Sequence, residues 1–258
     1  MQRGLVETRS AAKGLIMAGR VLVDGGMVDK AGAQVLPEAR LEVKPGPRYV
    51  SRAGEKLARA LEFFAVDPRG RLCLDVGAST GGFVDCLLQA GAREVIAVDV
   101  GYGQLDSRLR SDPRVHVLER TNARHLTADD LPFAAELVTA DVSFISLRKL
   151  VPAIMRVAAP GFRALLMLKP QFEAGRGRVG KGGIVRDPQV HEETLLGFIE
   201  YLRGEGLPVL GVTHTGLPGM GGNREFFVYA SAAVAEGPSL ATLELDVKRA
   251  VWGVPQSE

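Results

Sequence analysis

The chain has 258 residues, of which 46% are hydrophobic and 24% are charged, and this composition supports a buried core and excludes an intrinsically disordered protein. Its 32 basic and 30 acidic residues leave a formal net charge of +2, so a nucleic-acid surface must come from local clusters of basic residues. The sequence contains neither an apolar run of about 20 residues nor a charged-then-apolar leader, which predicts a cytoplasmic protein without a membrane-spanning segment.

Two cysteines, Cys73 and Cys86, are present. They occur in segments whose apolar patterns predict a buried strand and a helix, and no residues with metal-ligand spacing surround them. We therefore expect reduced, buried thiols and no metal site.

The first part of the chain predicts a small α+β unit. A short helical pattern over residues 5–19 is followed by two apolar segments around a glycine turn, which predict a hairpin over residues 21–28. Prolines interrupt the pattern between residues 37 and 47, and proline neither continues a helix nor donates to a β-ladder. We therefore divide the chain into a domain of residues 1–46 and a domain of residues 47–258.

The second domain alternates apolar strands with segments of helix length, which is typical of a doubly wound parallel sheet. The last two strands are separated only by the glycine-rich residues 216–222, too few for a parallel crossover, so an antiparallel hairpin is predicted at the end of the sheet. The predicted strands cover residues 72–76, 94–100, 114–118, 137–141, 164–168, 210–213 and 225–230.

A glycine-rich segment follows the first of these strands and opens a helix. Its glycines allow a tight turn and a close approach of the backbone to a ligand at the carboxyl end of the strand. Their spacing matches neither the dinucleotide fingerprint nor a P-loop, so neither phosphate-binding motif is predicted. The candidate cofactor-binding residues in this segment are Asp75, Gly77, Ala78, Ser79, Thr80, Gly81, Gly82 and Phe83.

Acidic residues on both sides of this loop indicate the kind of cofactor. Asp99 ends the second strand about 20 residues after Gly77, where a carboxylate accepts hydrogen bonds from ribose hydroxyls. Asp75 suits a ligand with an ammonium and a sulfonium group and repels a pyrophosphate, which favours S-adenosylmethionine over NAD. Val100, directly after Asp99, is a further candidate cofactor-binding residue. Asn122, after the third strand, is a candidate contact of the adenine amino group. An alternative in which these polar residues only cap turns stays open.

Six segments together resemble the TlyA family, bacterial proteins historically named haemolysins that join an S4 RNA-binding domain to an FtsJ-like ribose methyltransferase domain. The resemblance covers nearly the whole chain. It implies a Rossmann-like class I methyltransferase fold, an α/β architecture with a mostly parallel seven-stranded sheet and a terminal antiparallel hairpin, preceded by a small α+β S4 domain. The segments are residues 18–25, 49–57, 75–82, 141–146, 168–173 and 223–227.

The resemblance also implies a Lys-Asp-Lys-Glu catalytic tetrad, which falls on Lys56, Asp141, Lys169 and Glu225. In this hypothesis Lys169 contacts the ribose 2′-hydroxyl, and Asp141 orients Lys169 and contacts the cofactor. Lys56 and Glu225 complete the polar network. Burial and nearby cations favour a neutral lysine whereas carboxylates favour a charged one, so Lys169 stays open between a base and a charged positioning group. A turn cap at Asp141, an exposed Lys56 and a surface ion pair of Glu225 also stay open.

The partner implied by the resemblance is ribosomal RNA within the ribosomal subunits, methylated on a cytidine ribose. The chain begins without the Arg-Leu-Asp sequence usual in S4 modules, so we expect either an upstream start or a shortened first helix. The basic stretch between the domains could be an ordinary solvated surface rather than an RNA contact. The glycine-rich residues 175–183 could likewise be a plain exposed loop. The candidate RNA contacts are Arg9, Lys13, Arg20, Arg48, Arg52, Arg176, Arg178 and Lys181.

Three other functions fit the sequence less well. A non-catalytic RNA-binding protein could keep the methyltransferase fold as a scaffold, but the intact cofactor and tetrad motifs argue against it. A pore-forming haemolysin would need a signal, a membrane-spanning pattern or a strongly amphipathic segment, and the sequence contains none of these. Methylation of a base nitrogen is disfavoured because that reaction does not need this lysine tetrad.

Overall fold

The computed structural model describes residues 3–253, apart from the side chains of Arg176 and Met220. The chain divides into two compact units, Met1–Arg48 and Tyr49–Glu258. This division lies at the end of the same proline-rich segment in which the sequence predicted it, between residues 46 and 47. No helix among the described residues is both long enough and apolar enough to cross a membrane.

The smaller unit, in its described residues, combines one helix with a small sheet. The helix α1 (Arg9–Met17) is capped by Thr8, whose side chain accepts a hydrogen bond from the Ala11 amide at 3.1 Å. Three strands form an antiparallel sheet in the spatial order second, first, third: β1 (Val21–Val23), β2 (Gly26–Val28) and β3 (Leu41–Val43).

Two features of this unit differ from the sequence prediction. The helix begins at Arg9 rather than at residue 5, because the cap at Thr8 sets its start. The strand β3 was not predicted, because its three residues adjoin no tight glycine turn of the kind that indicates the hairpin of β1 and β2. It is joined to the unit by Arg20, whose guanidinium donates to the carbonyl of Lys44 at 2.9 Å.

The larger unit, in its described residues, contains a seven-stranded sheet with the fold class predicted from the sequence. Its strands are β4 (Leu72–Val76), β5 (Glu94–Val98), β6 (Val115–Leu118), β7 (Ala135–Ala140), β8 (Ala158–Leu168), β9 (Val209–His214) and β10 (Phe226–Ser231). The spatial order is β6-β5-β4-β7-β8-β10-β9. Strands β4 to β8 pair in parallel, and β10 is antiparallel to both of its neighbours, β8 and β9. The predicted mostly parallel sheet with a terminal antiparallel hairpin is confirmed.

Helices cover both faces of this sheet and form two apolar layers. The helices are α2 (Arg52–Phe63), α3 (Gly82–Gln89), α4 (Ser107–Arg110), α5 (Val151–Val157), α6 (Pro170–Glu173), α7 (Pro188–Gly204) and α8 (Leu240–Trp252). One layer contains buried residues of α2 and α3, and the other contains those of α5, α7 and α8. Strands that are apolar on both faces suit this arrangement. Cys73 and Cys86 are both buried, as predicted, and burial raises the pKa of the Cys73 thiol to about 12.

The strand order brings the predicted site residues to one edge of the sheet. β4 lies between β5 and β7, so the crevice at their carboxyl ends is the switch point at which open α/β sheets bind ligands. The pairing of β10 with β8 sets Phe226 opposite Leu168. The residues just outside this pair, Glu225 and Lys169, therefore meet at the same edge.

Candidate functional site

The glycine-rich loop after β4 lies close to the ends of two neighbouring strands. The amides of Gly77 and Ala78 donate to the carbonyl of Val98 at 2.8 and 3.1 Å. Gly77 has a φ of 87°, and a Cβ there would lie 2.4 Å from the carbonyl oxygen of Asp141. Because that neighbour is backbone and cannot easily move aside, the close approach requires glycine.

Asp75 presents a buried carboxyl group at the crevice. The residue is 1% exposed, and its Oδ1 accepts a hydrogen bond from the Thr139 hydroxyl at 2.8 Å. Among the described residues Oδ2 has no hydrogen-bond partner. Burial raises the pKa of Asp75 to about 8, and the carboxylates of Asp141 and Asp99 add to the effect. A buried acid with an unused oxygen fits a cationic group of a ligand.

Asp99 is held by backbone donors on both of its oxygens. The Ser79 amide donates to Oδ2 at 2.8 Å and the Gly101 amide donates to Oδ1 at 2.6 Å. The glycine-rich loop and the segment after β5 thus fix the carboxylate at the rim of the crevice. A carboxylate oxygen can accept further hydrogen bonds, so Asp99 remains available to hydroxyl groups.

Asn122 caps a turn and also lines the crevice. Its Oδ1 accepts hydrogen bonds from the Arg124 amide at 3.2 Å and from the Arg124 Nε at 3.1 Å. Because both partners are donors, they assign the oxygen of the side-chain amide. The carbonyl oxygen is therefore used within the chain, and Nδ2 is the group left for a ligand.

Two clefts meet at this edge of the sheet. The first, of about 370 Å³, contains Asp99, Val100 and Asn122. The second, of about 420 Å³, contains most of the other predicted cofactor residues and three members of the tetrad. Both are lined by Gly77, Ser79, Asp141 and Ser143, so they form one continuous crevice. The second cleft contains Arg52, Lys56, Asp75, Ala78, Thr80, Gly82, Phe83 and Lys169.

Gly81 is the predicted cofactor residue that lines neither cleft. A Cβ at this position would lie 2.3 Å from Leu109 Cδ1 and 2.8 Å from Leu105 Cδ1. The glycine is therefore needed for packing of the loop against apolar side chains. Its φ of 94° also suits the cap position at the start of α3.

The four side chains of the predicted tetrad form two close ion pairs. Lys169 Nζ lies 2.6 Å from Asp141 Oδ1 and donates a hydrogen bond to Ser143 Oγ at 2.9 Å. The contact with Asp141 is an ion pair without the alignment of a hydrogen bond. Lys56 Nζ donates to Glu225 Oε2 at 2.6 Å, and these two residues are 9% and 3% exposed. The alternatives of an exposed Lys56 and a surface ion pair of Glu225 are therefore wrong.

Several residues of the site were not assigned a role from the sequence. Ser143 contacts Lys169 directly, and Gly219 covers Glu225, whose Oε1 would lie 2.1 Å from a Cβ at this position. Phe144 has a φ of 65° and is 85% exposed beside the first cleft. The motif around Asp141 contains Ser143 and Phe144, but only the folded loop shows which of its side chains reach Lys169.

The candidate RNA contacts of the smaller unit differ in their exposure. Arg9 and Lys13 are exposed on α1. Arg20 is partly buried, and its guanidinium is bonded to the carbonyl of Lys44.

The remaining candidates belong to the basic stretch near residue 48 and the loop after α6. Arg48 and Arg52 are exposed, and Arg52 lies at the second cleft. Lys181 is exposed, whereas Arg178 pairs with Glu193. The side chain of Arg176 lies outside the described part of the structure. Among the described residues no group of His, Cys, Asp and Glu side chains could hold a metal ion.

Comparisons with known proteins agree with this architecture. The model of the FtsJ-like methyltransferases matches residues 49–232, and the model of the S4 domain matches residues 2–41. The 16S/23S rRNA (cytidine-2'-O)-methyltransferase TlyA of Mycobacterium tuberculosis is 44% identical over 253 residues, which cover 97% of this chain and 94% of the relative. Hemolysin A of Brachyspira hyodysenteriae is 40% identical over 230 residues, covering 88% and 95% of the two chains.

A solved structure also resembles this chain over nearly its whole length. A hemolysin-like protein of Streptococcus thermophilus superposes with a TM-score of 0.77 at 37% identity, covering 96% of this chain and 92% of its own.

Proposed function

Because this chain belongs to the TlyA family of FtsJ-like methyltransferases, we propose that it transfers a methyl group from S-adenosylmethionine to a ribose 2′-hydroxyl of ribosomal RNA. The name of the M. tuberculosis relative describes this reaction on cytidines of 16S and 23S rRNA. The observation that carries the proposal is the position of Lys169, held by Asp141 and Ser143 in the same crevice as the unused oxygen of Asp75. With ribosomal RNA as substrate, the reaction belongs in the cytoplasm.

The residues of the crevice fit S-adenosylmethionine. Asp75 Oδ2 would accept a hydrogen bond from the ammonium group, and Asp99 would accept bonds from the ribose hydroxyls. The free Nδ2 of Asn122 suits a ring nitrogen of adenine, in place of the adenine amino group expected from the sequence. Gly77 lines both clefts, so its backbone is accessible to the ligand. When bound, the cofactor supplies an electrophilic methyl group.

Lys169 is the residue proposed to contact the 2′-hydroxyl. A ribose hydroxyl is a poor nucleophile, so methyl transfer requires that its oxygen is oriented and that its proton leaves as the new bond forms. Asp141 and Ser143 hold the amine from one side, which leaves an N–H or the lone pair for the substrate oxygen. An amine would accept the hydroxyl proton, whereas an ammonium would only orient the oxygen.

Lys56 and Glu225 are proposed to complete the polar network around Lys169. Their ion pair is nearly buried and faces the same cleft through Lys56 and Gly219. A charge in such a place is tolerated only with its partner. The pair therefore keeps a fixed positive group near Lys169 and Asp141 without leaving an isolated charge.

RNA binding is proposed to use exposed basic residues of both units. Arg9 and Lys13 present two cations on one helix of the smaller unit, and Arg52 lies at the mouth of the second cleft. Such side chains contact phosphates and set the register of the RNA, whereas the identity of the methylated base is read elsewhere.

Transfer of a labelled methyl group from S-adenosylmethionine to separated ribosomal subunits tests this proposal. We expect label in ribosomal RNA, and digestion of the product should locate it on a ribose. Binding of the cofactor is measured separately by calorimetry. Binding without transfer to either subunit would favour the non-catalytic RNA-binding scaffold, and label on a base would exclude ribose methylation.

A further inference from the structure

The short helix α6 begins directly after Lys169 and ends at Glu173, whose side chain is only 3% exposed. A buried carboxyl group is costly unless hydrogen bonds satisfy it. Glu173 Oε2 accepts a hydrogen bond from the Ser146 hydroxyl at 2.7 Å, and Oε1 accepts one from the Leu147 amide at 2.6 Å. Arg148 Nε lies 4.0 Å away. Both oxygens therefore hold the segment that follows Asp141.

These bonds join two segments that carry members of the tetrad. Residues 141–147 contact residues 169–173 at both ends. Lys169 meets Asp141 and Ser143 at one end, and Glu173 meets Ser146 and Leu147 at the other. We call the second set of bonds the Glu173 brace. Since Glu173 lies about one helical turn from Lys169, the brace limits the movement of one segment against the other.

The segment between the two sets of bonds contains a strained residue. Phe144 has a φ of 65°, a conformation that is unfavourable for a bulky side chain and persists only where the surroundings impose it. Its ring packs against Phe172 of α6 with a centroid distance of 5.3 Å. α6 therefore contacts this turn through both Phe172 and Glu173.

We propose that Glu173 is a positioning residue for methyl transfer, because its carboxylate keeps the segment of Asp141 and Ser143 in place around the amine of Lys169. This inference rests on the proposed function. Without the brace the strained turn would relax, and Asp141 and Ser143 would move relative to Lys169. A displacement of about 1 Å in such a site can reduce the rate by on the order of 100-fold.

The chemistry of the side chain provides a rescue variant. In Glu173→Gln the amide oxygen can still accept from the Leu147 amide, and the NH₂ group can donate to the Ser146 hydroxyl, which also acts as an acceptor. Glu173→Ala removes both bonds, and Ser146→Ala removes one of them together with the bond that Ser146 Oγ accepts from the Arg148 amide at 3.2 Å. Glu136→Ala is a matched control, because Glu136 also holds a backbone amide, that of Leu72 at 3.0 Å, at the opposite ends of the strands.

The test measures single-turnover methyl transfer to ribosomal subunits per folded molecule, together with hydrogen–deuterium exchange of a peptide covering residues 141–147. We expect Glu173→Ala to lose roughly 10- to 100-fold in rate and to lose protection in this peptide. Ser146→Ala should show a smaller loss of both, and Glu173→Gln should recover most of the rate. Glu136→Ala should keep both the rate and the protection, even where its melting temperature falls.

Two results would overturn the positioning role: a full rate in Glu173→Ala, or unchanged exchange over residues 141–147. If Glu173→Ala does not fold, a full rate with unchanged exchange in Ser146→Ala overturns it. An inactive wild-type protein with normal cofactor binding would instead overturn the proposed function.

Discussion

Asp75 is the residue through which the proposed cofactor binding should depend on pH. Burial raises the pKa of this carboxyl group to about 8, so below that pH the free protein holds the acid protonated. An ammonium group at Oδ2 would favour the ionised form. Cofactor binding would then release a proton, and the energy needed for that release falls as the pH rises.

The affinity for S-adenosylmethionine should therefore increase between about pH 6 and pH 8, by at most roughly tenfold per pH unit, and level off above pH 8. Isothermal titration calorimetry at several pH values measures this dependence. Asp75→Asn should remove it, whereas Asp112→Asn, in an exposed ion pair with Arg114, should retain it. A flat profile in the wild-type protein would exclude Asp75 as the partner of the ammonium group.

The ion pair of Lys56 and Glu225 should affect both stability and activity, and the two effects can be measured separately. Glu225→Ala leaves an almost buried ammonium without its carboxylate, which should reduce the free energy of unfolding by about 3 kcal/mol. The double variant Lys56→Met, Glu225→Leu removes both charges and should recover most of that loss, but it should not transfer methyl groups. Urea unfolding and the methyl-transfer assay check the two effects. A double variant less stable than Glu225→Ala would contradict the role assigned to the pair.

The turn between β4 and α3 depends on backbone conformation rather than on side chains. Gly77 and Gly70 both have positive φ values, 87° and 71°, but a Cβ at Gly77 meets the Asp141 carbonyl oxygen, whereas one at Gly70 meets no atom within 4 Å. Gly70 precedes β4 and lines neither cleft, so it is a control for backbone strain without the close approach.

Gly70→Ala should cost roughly 1 kcal/mol of stability from backbone strain and leave cofactor binding unchanged. Gly77→Ala should cost more and should weaken S-adenosylmethionine binding, because the loop must move away from Asp141. Thermal unfolding and calorimetry compare the two variants. Equal cofactor affinities in both would show that the close approach at Gly77 is not needed for binding.

The strands and the site residues differ in how well the sequence predicts them. The strands of the large sheet were found because long apolar segments separated by glycine and helix-length segments carry a clear pattern. β3 could not be predicted, because no tight glycine turn beside it indicates a hairpin as it does for the equally short β1 and β2. The residues of the predicted tetrad could be named from motifs, but the contacts of Ser143 and Glu173 join segments distant in the chain and could not be predicted. Asn122 showed a further limit, since the sequence did not indicate that Arg124 uses its oxygen.

The chain as a whole combines two units that match different families. The smaller unit matches the S4 domain and the larger one matches the FtsJ-like methyltransferases. The net charge of +2 is too small to attract RNA by itself. Affinity for RNA must therefore depend on particular basic residues, and cofactor binding should not depend on those of the smaller unit.

The double variant Arg9→Ala, Lys13→Ala should weaken RNA binding most at low salt and reduce the slope of log affinity against log salt by about two. Its affinity for S-adenosylmethionine should remain that of the wild type. Binding of ribosomal subunits at several salt concentrations measures the slope. An unchanged slope would show that these two residues do not contact phosphates.

Lys169 is the residue on which the proposed reaction depends. The measurement to make is single-turnover transfer of labelled methyl groups to ribosomal subunits by the wild type, Lys169→Ala and the control Lys248→Ala, an exposed lysine of α8. We predict ribose-linked label with the wild type and the control, and a rate at least about 100-fold lower in Lys169→Ala with cofactor affinity retained. A Lys169→Ala variant that methylates ribose at the wild-type rate would contradict the assignment of this residue and the mechanism built on it.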